Sequence, residues 1–146
     1  MTATETLYRG ECHCGSIGYA FRTRKPAGTW TLRACQCNFC RAHAVVTTSD
    51  PDGTLEFVVC DASALHRYRF GLNTADFLIC RNCGVYIGAM MRAAQSRRFG
   101  IVNLHALQAP GVALSAASAR DYGAEDAGER NARRERQWTP VIGADP

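Results

Sequence analysis

The sequence of 146 residues has no long hydrophobic run and no basic run interleaved with aromatic residues. A transmembrane helix needs about 18 consecutive apolar residues, so no membrane span is predicted. Without a basic, aromatic-rich stretch, nucleic acid is not an expected partner. Residues 1–10 also lack the apolar segment of a secretory signal. We therefore expect a cytoplasmic protein, in a reducing compartment where closely spaced cysteines indicate metal binding or catalysis before disulfides.

Lysine is almost absent from the sequence. Of the 17 basic residues only Lys25 is a lysine, and with 13 acidic residues the formal net charge is +4. Arginine binds planar carboxylates and phosphates through paired N–H donors, so small acidic ligands are compatible with this composition. For any single arginine, a solvated surface position is the more common role.

Short runs of alternating apolar residues indicate an all-β domain. The length suits one domain, and turn-forming residues such as Gly28 and Pro51 separate the runs. Asp61 is predicted to cap a single helical turn. The predicted strands lie at residues 17–21, 30–34, 44–48, 55–59, 66–70, 75–79, 85–90 and 99–104.

The C-terminal region has a different composition. Acidic residues begin the segment 123–137 and arginines end it, which favours a short helix because these charges complement the helix dipole. We expect this helix on the surface, anchored by Trp138 and by Val141 and Ile142. The chain is therefore divided into a domain of residues 1–110 and a C-terminal extension of residues 111–146 packed on the same domain.

Seven of the eight cysteines fall into three tight clusters. Cysteines two or three residues apart can share one metal, because a tight turn brings their sulfur atoms to within about 4 Å. Zinc takes four such ligands in a tetrahedron, at about 2.3 Å each. Gly15 and Gly84 follow two of the clusters and permit the positive φ that such turns often need. The clusters are Cys12 with Cys14, Cys35 with Cys37 and Cys40, and Cys80 with Cys83.

Counting ligands predicts how these cysteines are shared between metals. Two pairs and a triplet give seven ligands, one fewer than two closed tetrahedra need. The simplest partition joins the two pairs into one closed, structural zinc site. The triplet then holds a second zinc with an open fourth position, which is typical of catalytic zinc. We call these sets the four-cysteine cluster (Cys12, Cys14, Cys80 and Cys83) and the three-cysteine cluster (Cys35, Cys37 and Cys40).

Other interpretations of the three-cysteine cluster stay open at this point. Its cysteines could be reduced core thiols beside a single zinc, or a fourth ligand could come from His13, His43 or Cys60. His13 is expected to be structural, and Cys60 to be a surface or packing thiol. His43 follows Cys40 by three residues, and we assign it a catalytic role beside the three cysteines, as a proton shuttle or a hydrogen-bond donor near the metal.

Four segments of the sequence resemble the CENP-V/GFA domain, the family of the glutathione-dependent formaldehyde-activating enzyme. The resemblance covers residues 7–107 and leaves the C-terminal extension outside. It implies a zinc-stapled, twisted all-β fold related to the Mss-type fold, with a structural zinc at the four-cysteine cluster and an active zinc at the three-cysteine cluster. The segments are GECHCG at 10–15, CQCNFCR at 35–41, LHRYRF at 65–70 and ICRNCG at 79–84.

The resemblance also implies an activity. The family makes or breaks carbon–sulfur bonds, so we expect a lyase acting on adducts of glutathione, or of another thiol, with aldehydes or related small electrophiles. From its position next to Cys40, Arg41 is expected either to offset the negative charge of the three-thiolate site or to bind a carboxylate of glutathione. The expected partner is this small-molecule adduct, and a homodimer is left open. The alternatives to an enzyme are a non-catalytic zinc-binding interaction module and a thiol redox sensor, because a site of three thiolates is readily oxidised.

Overall fold

The computed structural model describes residues 3–146 and is built mostly of β-strands, as expected. Two α-helices accompany the strands, α1 (Asn38–Ala42) and α2 (Ala127–Gln137). Neither helix has the length and the apolar composition that a membrane crossing requires, within the part of the chain that is described. The strands are β1 (Thr6–Glu11), β2 (Ile17–Thr23), β3 (Arg33–Cys35), β4 (Thr47–Thr48), β5 (Thr54–Val59), β6 (Leu65–Tyr68), β7 (Asp76–Cys80), β8 (Tyr86–Arg92), β9 (Arg98–Asn103), β10 (Ser118–Arg120) and β11 (Thr139–Pro140).

The smaller of the two sheets has the strand order β1-β2-β5, and both pairs are antiparallel. The predicted alternation in β2 is confirmed, since Ile17, Tyr19 and Phe21 are each only 1% exposed. Tyr19 stands opposite Phe57 of β5, so large side chains of neighbouring strands pack against each other. Strand β1 was not predicted, because most of its residues are exposed and carry no apolar alternation.

The larger sheet has the strand order β10-β3-β4-β9-β8-β7-β6, with β11 pairing beside β9. Strands β6 to β9 form an antiparallel meander. The C-terminal extension contributes two strands to this sheet: β10 runs parallel to β3, and β11 runs antiparallel to β9. Main-chain hydrogen bonds therefore hold both ends of the extension against the domain.

The main hydrophobic core lies between the two sheets. Leu55 of β5, Leu78 of β7 and Val102 of β9 belong to one cluster and are almost completely buried. The hydroxyl of Tyr19 also donates a hydrogen bond to the main-chain carbonyl of Asn103, at 3.0 Å. This bond joins the smaller sheet to the larger one and satisfies a polar atom that would otherwise be buried alone.

The charge pattern predicts a helix that starts at residue 123, but helix α2 begins at Ala127. Its start is set by Asp126, whose carboxylate accepts a hydrogen bond from the N–H of Glu129 at 2.8 Å while the Glu129 carboxylate accepts from the N–H of Asp126 at 3.3 Å. This reciprocal pair is a capping box. Trp138 is buried as expected, but Ile142 is 41% exposed. The prediction that Ile142 anchors the extension is therefore wrong, because its side chain points out of the packed layer.

Short helical segments complete the fold. The turn predicted after Asp61 is confirmed: Ala62–Ala64 form it, and the Asp61 carboxylate accepts a hydrogen bond from the N–H of Ser63 at 3.0 Å. Helix α1 was not predicted, because it is only five residues long and lacks an apolar period. The Cys37 sulfur caps this helix, accepting a hydrogen bond from the N–H of Cys40 at 3.4 Å.

Candidate metal centres and the adjoining cavity

The four-cysteine cluster lies where two strand connections, one from each sheet, come together. Cys12 and Cys14 follow β1 in the turn that leads to β2 of the smaller sheet. Cys80 ends β7, and Cys83 lies in the turn that leads to β8 of the larger sheet. The four sulfur atoms lie within 4.8 Å of one another. The structure thus brings together the two pairs that ligand counting assigned to one site.

Glycine closes both of these turns. Gly15 has φ 80° and Gly84 has φ 82°, in the left-handed region that side chains other than glycine rarely adopt. Each glycine N–H donates a hydrogen bond back across the turn, from Gly15 to the carbonyl of Cys12 at 3.1 Å and from Gly84 to the carbonyl of Cys80 at 2.8 Å. The expectation drawn from the glycine positions is confirmed.

The sulfur spacing of the four-cysteine cluster fits zinc. Tetrahedral bonds of about 2.3 Å place the ligand sulfurs about 3.8 Å apart, and the Cys14 sulfur is 3.7 Å from that of Cys12 and 3.6 Å from that of Cys80. All eight cysteines are free of disulfides. Hydrogen bonding from Ser16 lowers the pKa of the Cys14 thiol to about 5. Burial instead raises the pKa of the Cys80 thiol to about 11, so of these two ligands Cys14 is the one that favours the thiolate form that metal binding requires.

The three-cysteine cluster is a local structure. Cys35 ends β3, Cys37 is the N-cap of α1, and Cys40 lies within that helix. Their three sulfur atoms also lie within 4.8 Å of one another, and no His, Asp or Glu of the described residues joins them. The residues fit a metal held by three sulfurs, and the described residues supply no fourth ligand.

The pKa values of two thiols in the three-cysteine cluster are shifted in opposite directions. A hydrogen bond from the Cys40 thiol lowers the pKa of Cys35 to about 6. The same hydrogen bond, together with burial, raises the pKa of Cys40. Cys35 is therefore a thiolate at neutral pH even without a metal, which makes the cluster a soft, anionic ligand set.

A cavity of about 160 Å³ adjoins the three-cysteine cluster, and all three cysteines line it. Aromatic side chains and arginines make up much of the other walls, with Phe70, Phe77, Tyr86 and Trp138 among the lining residues. The aromatic side chains lower the local dielectric constant and strengthen electrostatic interactions beside them. The four-cysteine cluster contributes no residue to this lining. The two clusters thus differ in access to a ligand.

Comparison with known proteins gives one solved structure, that of a protein from Rhodobacter sphaeroides. It shares 27% sequence identity with the chain, covers 75% of this chain and 99% of its own, and superposes with a TM-score of 0.49. No protein-family model and no curated protein matches the chain.

The structure also places the histidine and arginine that were predicted near the metal. His43 is the C-cap of α1, its Nδ1 lies 3.0 Å from the carbonyl oxygen of Phe39, and its ring packs on the Phe39 ring at 4.3 Å between centroids. Arg41 is exposed and donates a hydrogen bond to the side-chain oxygen of Asn38 at 3.1 Å. Neither residue lines the cavity, and their roles stay predictions.

The two other candidate ligands of the three-cysteine cluster lie apart from it. His13 sits between Cys12 and Cys14 in the turn after β1, and it is exposed. Cys60 follows β5 and is exposed as well. Neither contributes an atom to a group of metal-ligating side chains.

Sequence reasoning missed the arginines of the cavity. Arg130, Arg133 and Arg134 on α2 line it together with Arg33 of β3. The spacing of the three α2 arginines contained the signal, because residues three and four apart share one face of a helix. The position of these arginines at the end of the segment also complements the helix dipole, and that is the role the sequence predicts for them; no local pattern indicates a cavity beneath the helix.

Proposed function

We propose that the protein is a zinc-dependent carbon–sulfur lyase acting on adducts of a small thiol, with glutathione as the leading case, and an aldehyde. The observation that carries the proposal is the cavity: three cysteines with no fourth ligand among the described residues line it, together with aromatic side chains and arginines. A purely structural zinc site has four protein ligands and needs no such space. The four-cysteine cluster has that closed form.

The reaction is the reversible cleavage of a hemithioacetal. The carbon–sulfur bond breaks and its electron pair stays with sulfur, while the adduct hydroxyl loses its proton as the carbonyl forms. The sulfur then binds a proton, so that one thiol and one aldehyde leave. Zinc bound at the three cysteines would supply a Lewis acid that stabilises sulfur as a thiolate at neutral pH.

The side chains of this chain supply the rest of the environment. The aromatic side chains of the cavity reduce the access of water to the reacting carbon, which disfavours hydration of the aldehyde. Arg133 on α2 lines the cavity, and its positive charge favours the developing negative charge on sulfur. Arg133 lies close enough to Cys35 to contribute to the lowered pKa of that thiol.

The test measures exchange between glutathione, formaldehyde and their adduct by NMR, on the full chain loaded with two equivalents of zinc. We expect the protein to accelerate exchange at least about 100-fold over the uncatalysed rate. Cys37→Ser should abolish the acceleration and leave one zinc per chain, because Cys37 is a ligand of the second zinc alone.

Cys60→Ser is the matched control, since it removes an exposed cysteine outside both clusters. It should retain two zinc ions and the full rate. Equal exchange rates with and without the wild-type protein, for formaldehyde and for larger aldehydes, would refute the lyase and favour a non-catalytic zinc module.

A further inference from the structure

Helix α2 carries a buried arginine that faces the cavity without an acidic partner. Arg134 lines the cavity and is only 7% exposed. Arginine is almost never buried to this extent unless its charge is paired. Within residues 3–146, no carboxylate lies within 4.0 Å of its guanidinium.

The hydrogen bonds of Arg134 are also incomplete. Nη1 donates to the hydroxyl of Thr74 at 2.7 Å, and Cζ lies 4.6 Å from the centre of the Trp138 ring. The buried Nε–H has no acceptor among the described residues. A guanidinium has five N–H donors, and a buried donor without an acceptor is costly.

The two acids described near the cavity have other hydrogen-bond partners. Glu125 pairs with Arg130 and with Arg133, the latter at 2.8 Å. Asp121 also lines the cavity, but it is exposed and accepts a hydrogen bond from the N–H of Gly123. Burial, with repulsion from Arg133 and Arg130, lowers the pKa of Arg134 to about 10, so the group is still a cation at neutral pH.

A second polar atom of the same cavity is unsatisfied. The hydroxyl of Tyr86 is buried and has no hydrogen-bond partner within the described chain, and Tyr86 is 2% exposed. A buried cation and a buried hydroxyl, both without partners and both lining one cavity, are explained by a ligand that completes them. An apolar ligand would leave both unsatisfied.

We propose that this cavity binds a small carboxylate, with Arg134 as its counter-ion. Trp138 covers one face of the guanidinium and Thr74 occupies Nη1. Of the four donors that are left, Nε–H and one Nη2–H lie parallel on one edge and match the two oxygens of a carboxylate. The inference rests on the proposed function only for the identity of the ligand, which is the thiol adduct or one of its two halves.

The size of the cavity defines the ligand further. Pockets for drug-sized ligands span about 300–1,000 Å³, whereas this cavity has about 160 Å³. It admits a short acid and not a whole tripeptide. The carboxylate therefore comes either from an aldehyde acid such as glyoxylate or from one end of glutathione that enters the cavity.

The test uses glycolate as the probe and glycolamide as its uncharged analogue, with the zinc-loaded full chain. In the NMR spectrum, glycolate should shift the Arg134 Nε–H resonance and glycolamide should not. By calorimetry, Arg134→Met should weaken glycolate binding at least tenfold. Arg136→Met is the matched control on the exposed side of α2 and should change the affinity less than twofold. If Arg134→Met does not fold, the wild-type Nε–H resonance alone decides the question.

An unshifted Nε–H at saturating glycolate, or equal affinity in Arg134→Met and the wild type, would overturn the inference and assign Arg134 a structural role. Faster cleavage of glutathione–glyoxylate than of glutathione–formaldehyde, lost in Arg134→Met, identifies the aldehyde as the source of the carboxylate. Equal dependence on Arg134 for both adducts identifies glutathione. Glycolate binding without cleavage of any adduct supports the inference and refutes the proposed function. Cleavage of an adduct without glycolate binding refutes the inference and supports the proposed function.

Discussion

The cysteines of the two clusters are separated by very different distances along the chain. The four-cysteine cluster joins positions from 12 to 83 and ties a turn of the smaller sheet to a turn of the larger one, whereas the three-cysteine cluster spans only residues 35–40. Because the entropy of loop closure grows with the logarithm of loop length, a cross-link over the longer span stabilises the fold by about 2 kcal/mol more. A metal in the first cluster thus acts on the whole fold, and a metal in the second acts locally.

The two clusters also differ in whether a ligand can reach them. The four-cysteine cluster supplies all four ligands of a tetrahedron, so nothing further is needed there. The three-cysteine cluster supplies three and faces a cavity that the C-terminal extension lines with arginines. The two candidate metal centres thus differ in what each could do, one for stability and one for ligand access, and Cys80→Ser and Cys35→Ser test that separation.

The largest effect is expected for Cys80→Ser. The serine removes one ligand of the four-cysteine cluster at the end of β7, and a structural zinc contributes about 10 kcal/mol or more of apparent binding free energy. We expect a loss of more than about 4 kcal/mol in the free energy of unfolding, enough to unfold much of a domain of ordinary stability. Thermal unfolding followed by circular dichroism checks this, with Cys60→Ser as the control. A thermal unfolding midpoint within a degree of the wild type would show that this cluster does not stabilise the fold.

An intermediate effect is expected at the opposite end of β7, for Asp76→Asn. Burial alone would raise the pKa of Asp76, but hydrogen bonds from Arg69 and Arg92 outweigh it and hold the pKa below its usual range. A lowered pKa contributes stability that is present above about pH 4 and is lost as the pH falls through the folded-state value. Both arginines are about half exposed, so we expect a loss of only about 1–2 kcal/mol at pH 7.

Urea unfolding of the zinc-loaded chain checks the Asp76 prediction. The difference between Asp76→Asn and the wild type should stay constant from pH 8 to pH 5. A decline that begins above pH 5 would contradict the lowered pKa. The control is Asp145→Asn, which removes an exposed acid that pairs with the same Arg92 and should cost less than about 0.5 kcal/mol.

The smallest effect on stability is expected for Cys35→Ser. It should reduce the zinc content from two to one per chain, yet destabilise the fold by at least about 2 kcal/mol less than Cys80→Ser does, because its cluster closes only a short loop. Elemental analysis and urea unfolding of the same preparation measure both quantities. Loss of both zinc ions, or a destabilisation as large as that of Cys80→Ser, would remove the distinction between the clusters.

The sequence predicted some parts of the fold better than others, for physical reasons. Strands with buried alternation, such as β2 with Tyr19 and Phe21, were predicted because the pattern records one buried face. Strand β1 was missed because its residues are mostly exposed. Helix α2 was predicted with the wrong start, because the charge gradient extends beyond the Asp126 cap that begins the helix.

The sequence by itself determined those features that depend on residues close together in the chain. Cysteines two or three residues apart, with Gly15 and Gly84 after them, specify the turns and the sulfur clusters, since a few backbone bonds fix where those side chains can lie. Only the tertiary structure decided that Arg134, almost a hundred positions after Cys35 in the printed sequence, lines the same cavity. That proximity depends on the parallel pairing of β10 with β3 and on the packing of Trp138, long-range contacts whose register no local pattern encodes.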